Sequence, residues 1–355
     1  MRVPPRNAFA LPVRATVLAL VLAFPLAAGA RAQRDTGWWG TPAVGLGPII
    51  LRSQAPLSLL RLTPTPLQPV TLAKGAWLTG VVANWNNYFA VDPRGRFFID
   101  AETFAVTLGV GYGLSERTEL DLAMPLSYRG GGTLDGFVER FEGVVGQINR
   151  VRRSYPRDRY TMRIVGENGQ VHELSGRDAG WGTEDPSMSL RYQVAKGTLR
   201  TPAIVVSAGL NAPIGSQREH RSTGSSDVYF AVGLGQRLGR FNLYASLAGM
   251  RYGRILIDGV RLNRHQGSFF VGLEYRKSAR TSWLVQGVVT SAGTKSYGDF
   301  AASSYEVTFG FKRRLARELL LEVSVLENLF VFNNSPDVGF HVGVVKRIGE
   351  RAGRP

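Results

Sequence analysis

Eight charged or titratable residues recur at every-second-residue positions between apolar neighbours: Glu119, Asp121, Arg191, Glu274, Glu306, Lys312, Glu322 and His341. Asn84, Gln193, Tyr229, Tyr244 and Gln286 share their phase. Both signs of charge on one face of a sheet suit two chemistries. One is a lining that selects a passing solute. The other is an ionic and hydrogen-bonded network that fills an interior.

Catalysis is a poorer fit. A covalent mechanism needs a nucleophile, a base and an orienting group in contact. Of the four His, His172, His220 and His265 fall in long polar stretches and His341 in a strand. No Ser-containing motif shares a phase with any of them. Glu219, His220 and Asp227 form a local acidic-plus-His group of the kind a surface protease uses, but such groups also arise by chance. No His/Asp/Glu set has metal-ligand spacing, and the chain has no Cys. No phosphate-binding or dinucleotide loop is present; "GVGYG" and "GLGQRLG" lie inside strands, where Gly reflects close packing. No catalytic residue, cofactor or metal is assigned.

The elements that hold the eight residues are strands. "SSDVYFAVGLGQRLGRFNLYASLAGMRYG" (225–253) alternates apolar with small or polar residues, turns, and alternates again. A soluble sheet would load its second stripe with Lys, Glu and Thr; this one carries Gly, Ser and Tyr. The pattern recurs from about Gly75 onward and gives twelve strands, each supplying the roughly 9–11 residues that cross a bilayer. Short turns such as "LSERT" and "RKSART" alternate without exception with longer connections such as "PIGSQREHRSTGSSD". Trp77, Tyr112, Tyr192, Phe241, Tyr275 and Trp283 mark the short-turn ends of the apolar stripes, and Phe104, Tyr128, Phe269, Tyr305 and Phe340 the long-loop ends. Strict loop alternation with two aromatic girdles predicts an all-β, antiparallel transmembrane barrel of the outer-membrane type, about 12 strands, apolar stripe to lipid and polar stripe inward. Twelve strands lie between a barrel filled by side chains and one with an aqueous pore.

The rest of the chain is different material. Residues 1–32 read as a secretory signal: Arg2, Arg6 and Arg14, then "ATVLALVLAFPLAAGA", then Ala30-Arg31-Ala32 as the cleavage site. That implies an exported, outer-membrane protein of a Gram-negative bacterium, cleaved near Ala32. Removing four Arg leaves 39 basic against 27 acidic residues. Residues 33–74 are Pro-rich and cannot be a central strand; a periplasmic tail or rim contact is favoured over a plug. The barrel is placed at 75–349, with 350–355 as a C-terminal tail. Many barrels of this type end on an aromatic residue read by the barrel-assembly machinery, a partner expected here too, yet this chain runs about ten residues past its last stripe. The external loop 129–184 carries Leu134, Phe137, Val138, Phe141, Val144, Val145 and Ile148 at helical spacing, then "RYTMRIVGENGQVHELSG" with a hairpin turn at Asn168-Gly169. Phe137, Phe141, Val144 and Ile148 are expected to cap the barrel mouth.

The net charge of +16 sits largely in short turns and near the C-terminus, for example Arg117, Arg237, Arg276, Arg314, Lys346 and Arg347. These suit outer-membrane lipid headgroups. The run Arg150, Arg152, Arg153, Arg157 and Arg159 suits lipopolysaccharide phosphate. Export argues against nucleic acid as the partner.

"LRSQAPLSLLRLTPTPLQPVTLAKGAW" before the first strand, "LDGFVERFEGVVG" in the large loop and "GTEDPSMSLRYQVAKG" after it resemble domain of unknown function 3187, over about residues 46–348. Where that family's loop helix carries a His, Glu142 or a neighbour stands here. The resemblance implies an outer-membrane barrel and supplies no function. The function expected is passage of an unidentified small solute, as a passive channel or transporter. The alternatives are a non-conducting structural or surface-interaction barrel and an outer-membrane hydrolase.

Overall fold

The computed structural model describes residues 38–349 apart from 40, 42, 146–150 and 329–333. In chain order its strands are β1 (Trp77–Val91), β2 (Phe97–Gly113), β3 (Thr118–Gly130), β4 (Thr161–Val165), β5 (Val171–Ser175), β6 (Gly180–Thr183), β7 (Ser187–Ala195), β8 (Ala203–Asn211), β9 (Val228–Leu238), β10 (Phe241–Arg251), β11 (Leu256–Ile257), β12 (Val260–Arg261), β13 (His265–Arg276), β14 (Thr281–Thr290), β15 (Ser304–Ala316), β16 (Leu319–Asn328) and β17 (Val338–Ile348). Two helices join them, α1 (Pro56–Leu60) and α2 (Asp135–Val145).

Twelve of these strands close a ring: β1, β2, β3, β7, β8, β9, β10, β13, β14, β15, β16 and β17, each antiparallel to the next. β17 returns to β1, with Trp77 opposite Ile348 and Asn87 opposite Val338. Closure leaves no edge whose N–H and C=O groups would lie bare in hydrocarbon. The period-2 phase is preserved around the ring. Val81, Leu108, Leu122, Leu190, Phe269 and Phe309 project outward and are 47–50% exposed, whereas Glu119, Glu274, Lys312 and Glu322 on the opposite phase are 0% exposed. An apolar outer band over a polar interior is the arrangement a lipid-embedded barrel requires.

The girdles pair across strands. Trp77 meets Tyr112 (ring centroids 4.5 Å) and Phe241 meets Tyr275 (5.4 Å) at the short-turn end. Phe104 and Tyr128 meet Trp181 at 6.1 and 5.9 Å at the other. No helix among the described residues is long and apolar enough to cross a membrane.

Above the outer girdle the wall continues on one side. β4 pairs with the outer end of β2, Phe97 opposite Ile164, and β5 pairs with β4. The hairpin expected at Asn168-Gly169 forms, with Gly169 at φ +79°. It extends the sheet beyond the outer end of β2. Tyr88, Phe97, Ile99, Tyr160, Leu174, Val260, Leu262, Tyr297 and Phe300 build an apolar cluster there, which is the core of the external cap.

Candidate functional site

The lumen is occupied. The Pro-rich segment, for which a tail or rim contact is favoured on sequence, runs inside the barrel from at least Ala43 to Leu72, nearly all of it buried. The physical reason lies in its backbone. A chain without sheet partners, buried away from water, carries N–H groups that each cost about 1–3 kcal/mol if left unpaired. The inward side chains of the wall receive them. Gly45 N–H donates to the Tyr244 hydroxyl (3.1 Å), whose own proton goes to Glu274. Leu46 N–H donates to Glu274 (2.9 Å), Ile49 N–H to Gln286 (3.0 Å) and Ile50 N–H to Glu322 (3.2 Å). Gln54 and Ala55 N–H both donate to Glu306 (2.7 and 3.2 Å). Thr71 N–H reaches Gln193 (2.8 Å) and Leu72 N–H reaches Glu119 (2.7 Å). Gln286 and Gln193 also donate their amide N–H back, to Ile49 and Pro69 carbonyls.

The eight lumen residues expected from sequence thus divide by task. Glu119, Glu274, Glu306 and Glu322 accept plug N–H groups. Lys312 donates to the Pro48 carbonyl at 2.6 Å and pairs with Glu322 at 2.8 Å. His341 bridges Glu322 (3.0 Å) and Asn84 (2.8 Å). Arg191 pairs with both Glu119 and Asp121, the latter at 2.7 Å. Arg191 and Asp121 are the two that also line open space.

Apolar packing completes the fit. Trp38, Val44, Leu46 and Leu72 pack with wall residues Tyr244, Phe270, Leu320 and Val345. Ile49 and Leu51 pack with Leu284 and Leu326. Gly45 is required by closeness, because a Cβ there would lie 2.3 Å from a Glu274 carboxylate oxygen. Arg347, expected among lipid headgroups, instead turns inward; it donates to the Trp38 carbonyl and lies over the Trp38 and Trp39 rings. Its position on the inward phase of β17, one residue beyond Lys346, is the signal that turn location alone does not show.

Two cavities adjoin α1. One of about 240 Å³ lies between the plug and β1, β2, β3 and β7, where the inward wall is small: Gly80, Gly109, Gly111, Ala123, Ser187 and Ser189. Asp121 and Arg191 line it, as do Arg52, Glu184, Asp185 and Arg221. Glu184 joins plug to wall, accepting from Arg52 at 3.0 Å and facing Arg129 at 3.5 Å. The second cavity, about 90 Å³, sits in the external cap and is almost wholly apolar, lined by Leu57, Tyr88, Ile99, Ile164, Leu262 and Phe300 among others. Leu59 and Leu60 of α1 line both.

The large loop divides: its hairpin joins the external cap, where Met162 and Ile164 line the apolar chamber, while the described part of its helix packs at the rim. Leu134 and Val138 pack against Val338, with Trp85 and Phe340 beside them. Phe137 is 46% exposed, its ring 5.5 Å from Phe340 on the lipid-facing phase. The helix therefore lies at the outer rim. The side chains of Phe141 and Val144, and residue Ile148, lie outside the described residues. Arg152, expected to face lipopolysaccharide, is buried; it pairs with Asp135 (2.6 Å) and Asp337 (2.7 Å) and so ties the loop to β17. Above the girdle, Asp100 has its carboxyl pushed up to about 7 by burial, with Asp135 adding repulsion.

Sequence spacing also hides one cluster. His172, His220 and Asp258 come from three loops and present ligand atoms all within 4.8 Å of one another. The hydrogen bond from His220 lowers the Asp258 carboxyl, and burial lowers His220. Asp227, grouped with His220 by sequence proximity, instead accepts Leu62 and Gly253 N–H groups (both 3.1 Å).

The fold is that of an outer-membrane β-barrel. The crystal structure of the COG4313 outer membrane channel from Pseudomonas putida F1 aligns with TM-score 0.53 and 12% identity, covering 81% of this chain and all of that one. The NanC porin aligns with TM-score 0.42 and 8% identity over 76% and 98% of the two chains. The CymD monoaromatic hydrocarbon channel aligns with TM-score 0.40 and 10% identity over 91% and 100%. No curated protein sequence matches the chain. Residues 36–348 match the family described as protein of unknown function (DUF3187), and the chain belongs to that family.

Proposed function

We propose that this protein is an outer-membrane channel for a small, mainly apolar solute, and that it passes little or no ionic current in the plugged state. The observation that carries this is the pair of cavities that share Leu59 and Leu60 as a partition. An apolar chamber in the external cap and a larger cleft beside the plug adjoin at these two α1 side chains, which line both. A chamber lined by leucines, isoleucines and aromatic rings binds by apolar burial and has few groups to receive a charge. Ions meet a lumen whose buried carboxylates already accept N–H and hydroxyl donors from plug and wall.

The roles of the lumen residues follow. Glu119, Glu274, Glu306, Lys312, Glu322 and His341 hold the plug, while Asp121 and Arg191 face the passing solute in the cleft. The filled lumen favours one second reading, a non-conducting structural barrel.

Uptake of a small radiolabelled aromatic hydrocarbon by cells with and without the chain separates the two. The channel predicts several-fold slower uptake on deletion of the gene and on Leu60→Trp, which fills the partition. Uptake indifferent to both changes would leave the structural barrel.

A further inference from the structure

We infer that His172, His220 and Asp258 form a binding site for a divalent transition metal, zinc in the first instance, that staples three external loops together over the apolar cap chamber. His172 stands on β5, His220 in the β8–β9 connection and Asp258 at the tip of the β11–β12 turn. The three are far apart in sequence, so each loop supplies a single ligand.

The donor geometry is that of a metal centre short of closure. His172 Nε2 lies 3.1 Å from the Arg218 carbonyl. Donation to that oxygen places the ring proton on Nε2 and leaves the Nδ1 lone pair facing Asp258, 3.8 Å from Oδ1. A metal-bound histidine is usually oriented by such a hydrogen bond from its second nitrogen to a carbonyl. His220 Nε2 already contacts Asp258 Oδ2. Its Nδ1 lies 3.2 Å from the Met162 sulfur, a weak acceptor able to receive the proton when Nε2 becomes a ligand. Two imidazoles and one carboxylate, with the fourth position open, match the zinc set His₂Asp/Glu. Ligand atoms around zinc stand roughly 3.3 Å apart for bonds of about 2.0–2.1 Å. Closing from 4.8 Å asks for a shift of at most about 1.5 Å. Asp258 is on a two-residue hairpin tip, and His172 and Asp258 keep about a quarter of their side-chain surface exposed, so both have room to move.

Two further observations set this cluster apart. His220 and Asp258 are two of the three non-glycine residues with positive φ among the described residues, at +55° and +47°. The type I′ turn formed with Gly259 accounts for Asp258, and the turn closed by the Arg221 N–H on the Ser216 carbonyl (2.8 Å) ends on His220, so two turn tips present their side chains to each other. Second, His220, Met162 and Ile257 line the apolar chamber. A metal bound outside them would pin the roof of that chamber. The metal site stands on its own geometry; its control of access to the chamber rests on the transport function proposed above.

The test is cobalt and zinc binding by the untagged full chain purified in detergent, with His172→Ala and Asp258→Asn as variants. Both residues are partly exposed, so both variants are expected to keep the heat-modifiable migration of a folded barrel. The site predicts one Co²⁺ per chain with visible ligand-field bands, displaced by Zn²⁺, and affinity lowered at least tenfold in each variant. No saturable binding, or binding equally tight in both variants, would overturn the site. Zinc should also slow hydrocarbon uptake by wild-type cells but not by His172→Ala cells. Site-specific binding with zinc-indifferent uptake would overturn the coupling and keep the metal site. Loss of the Leu60→Trp effect would overturn transport and leave the metal-binding result standing.

Discussion

The plug has two halves that hold to the barrel differently. From Gly45 to Ala55, six backbone N–H groups donate to wall side chains. In α1, the next five residues, Leu57, Leu59 and Leu60 touch apolar cap residues and cavity, and the helix has no side-chain cap. The first half is fastened by buried ionic groups that cannot leave their partners without heavy cost. This second part, α1, is fastened by burial, which is nondirectional and tolerates sliding; beyond it the Leu62, Thr71 and Leu72 N–H groups again donate to Asp227, Gln193 and Glu119. A barrel that must stay sealed to ions yet admit a solute needs both kinds of attachment, with the loose one at the partition between chambers.

The largest expected effect comes from breaking the clamp. Glu322→Leu removes the partner of the fully buried Lys312, the acceptor for Ile50 N–H and one partner of His341. Losing one member of a buried pair costs about 3–5 kcal/mol. The temperature at which the barrel loses heat-modifiable migration should fall well below wild type. Lys312→Met in the same chain should recover most of the loss, since the uncompensated charge is gone; no recovery would mean that the Ile50 and His341 bonds dominate.

Gly45→Val acts next. Its Cβ falls on the Glu274 carboxylate, so the segment must back away at a cost of about 1–3 kcal/mol. The expected readout is an ionic leak in planar bilayers from a barrel that still migrates as folded.

In the loose half, Leu60→Ala should cost less than Glu322→Leu while raising hydrocarbon uptake, because it merges the two chambers. Equal destabilisation by the two changes would erase the contrast between the halves.

A smaller effect lies in the cap. Asp100, with its carboxyl raised to about 7 by burial and by Asp135, binds a proton more readily folded than unfolded. Its contribution is therefore complete below the unfolded pKa near 4 and is lost as pH rises through about 7. The protection factors of the β4 and β5 amides, which divide out base catalysis of exchange, should fall between pH 5 and pH 8, and Asp100→Asn should flatten that fall.

Much of this molecule is legible in its sequence because a strand between lipid and protein obeys a strict two-residue period. The twelve strands, their closure, both girdles and the inward phase of Glu119, Glu306 and Lys312 follow from that rule. The plug does not, because "PLSLLRLTPTPLQPV" has no period and its partners lie up to 272 residues away. The many inward acids with few matching inward cations were the available clue: carboxylates buried beside so few counterions need N–H donors, and an unpaired backbone is the nearest source. Arg152 and Arg347 were misplaced for a related reason, since a basic residue near a turn reads as solvated until its strand phase or acidic neighbours are counted. The helix of the large loop was legible, but its seat at the rim depends on Val338 and Phe340, some 200 residues on. The His172–His220–Asp258 cluster carries no sequence signal at all, because three separate loops assemble it.

The most direct measurement is single-channel conductance in planar bilayers of the intact chain beside a chain lacking residues 43–72, both checked for heat-modifiable folding. The plugged lumen predicts near silence from the intact chain and discrete, long-lived current steps from the deletion. Equal steps from both would contradict it, because the segment would then not be what fills the barrel.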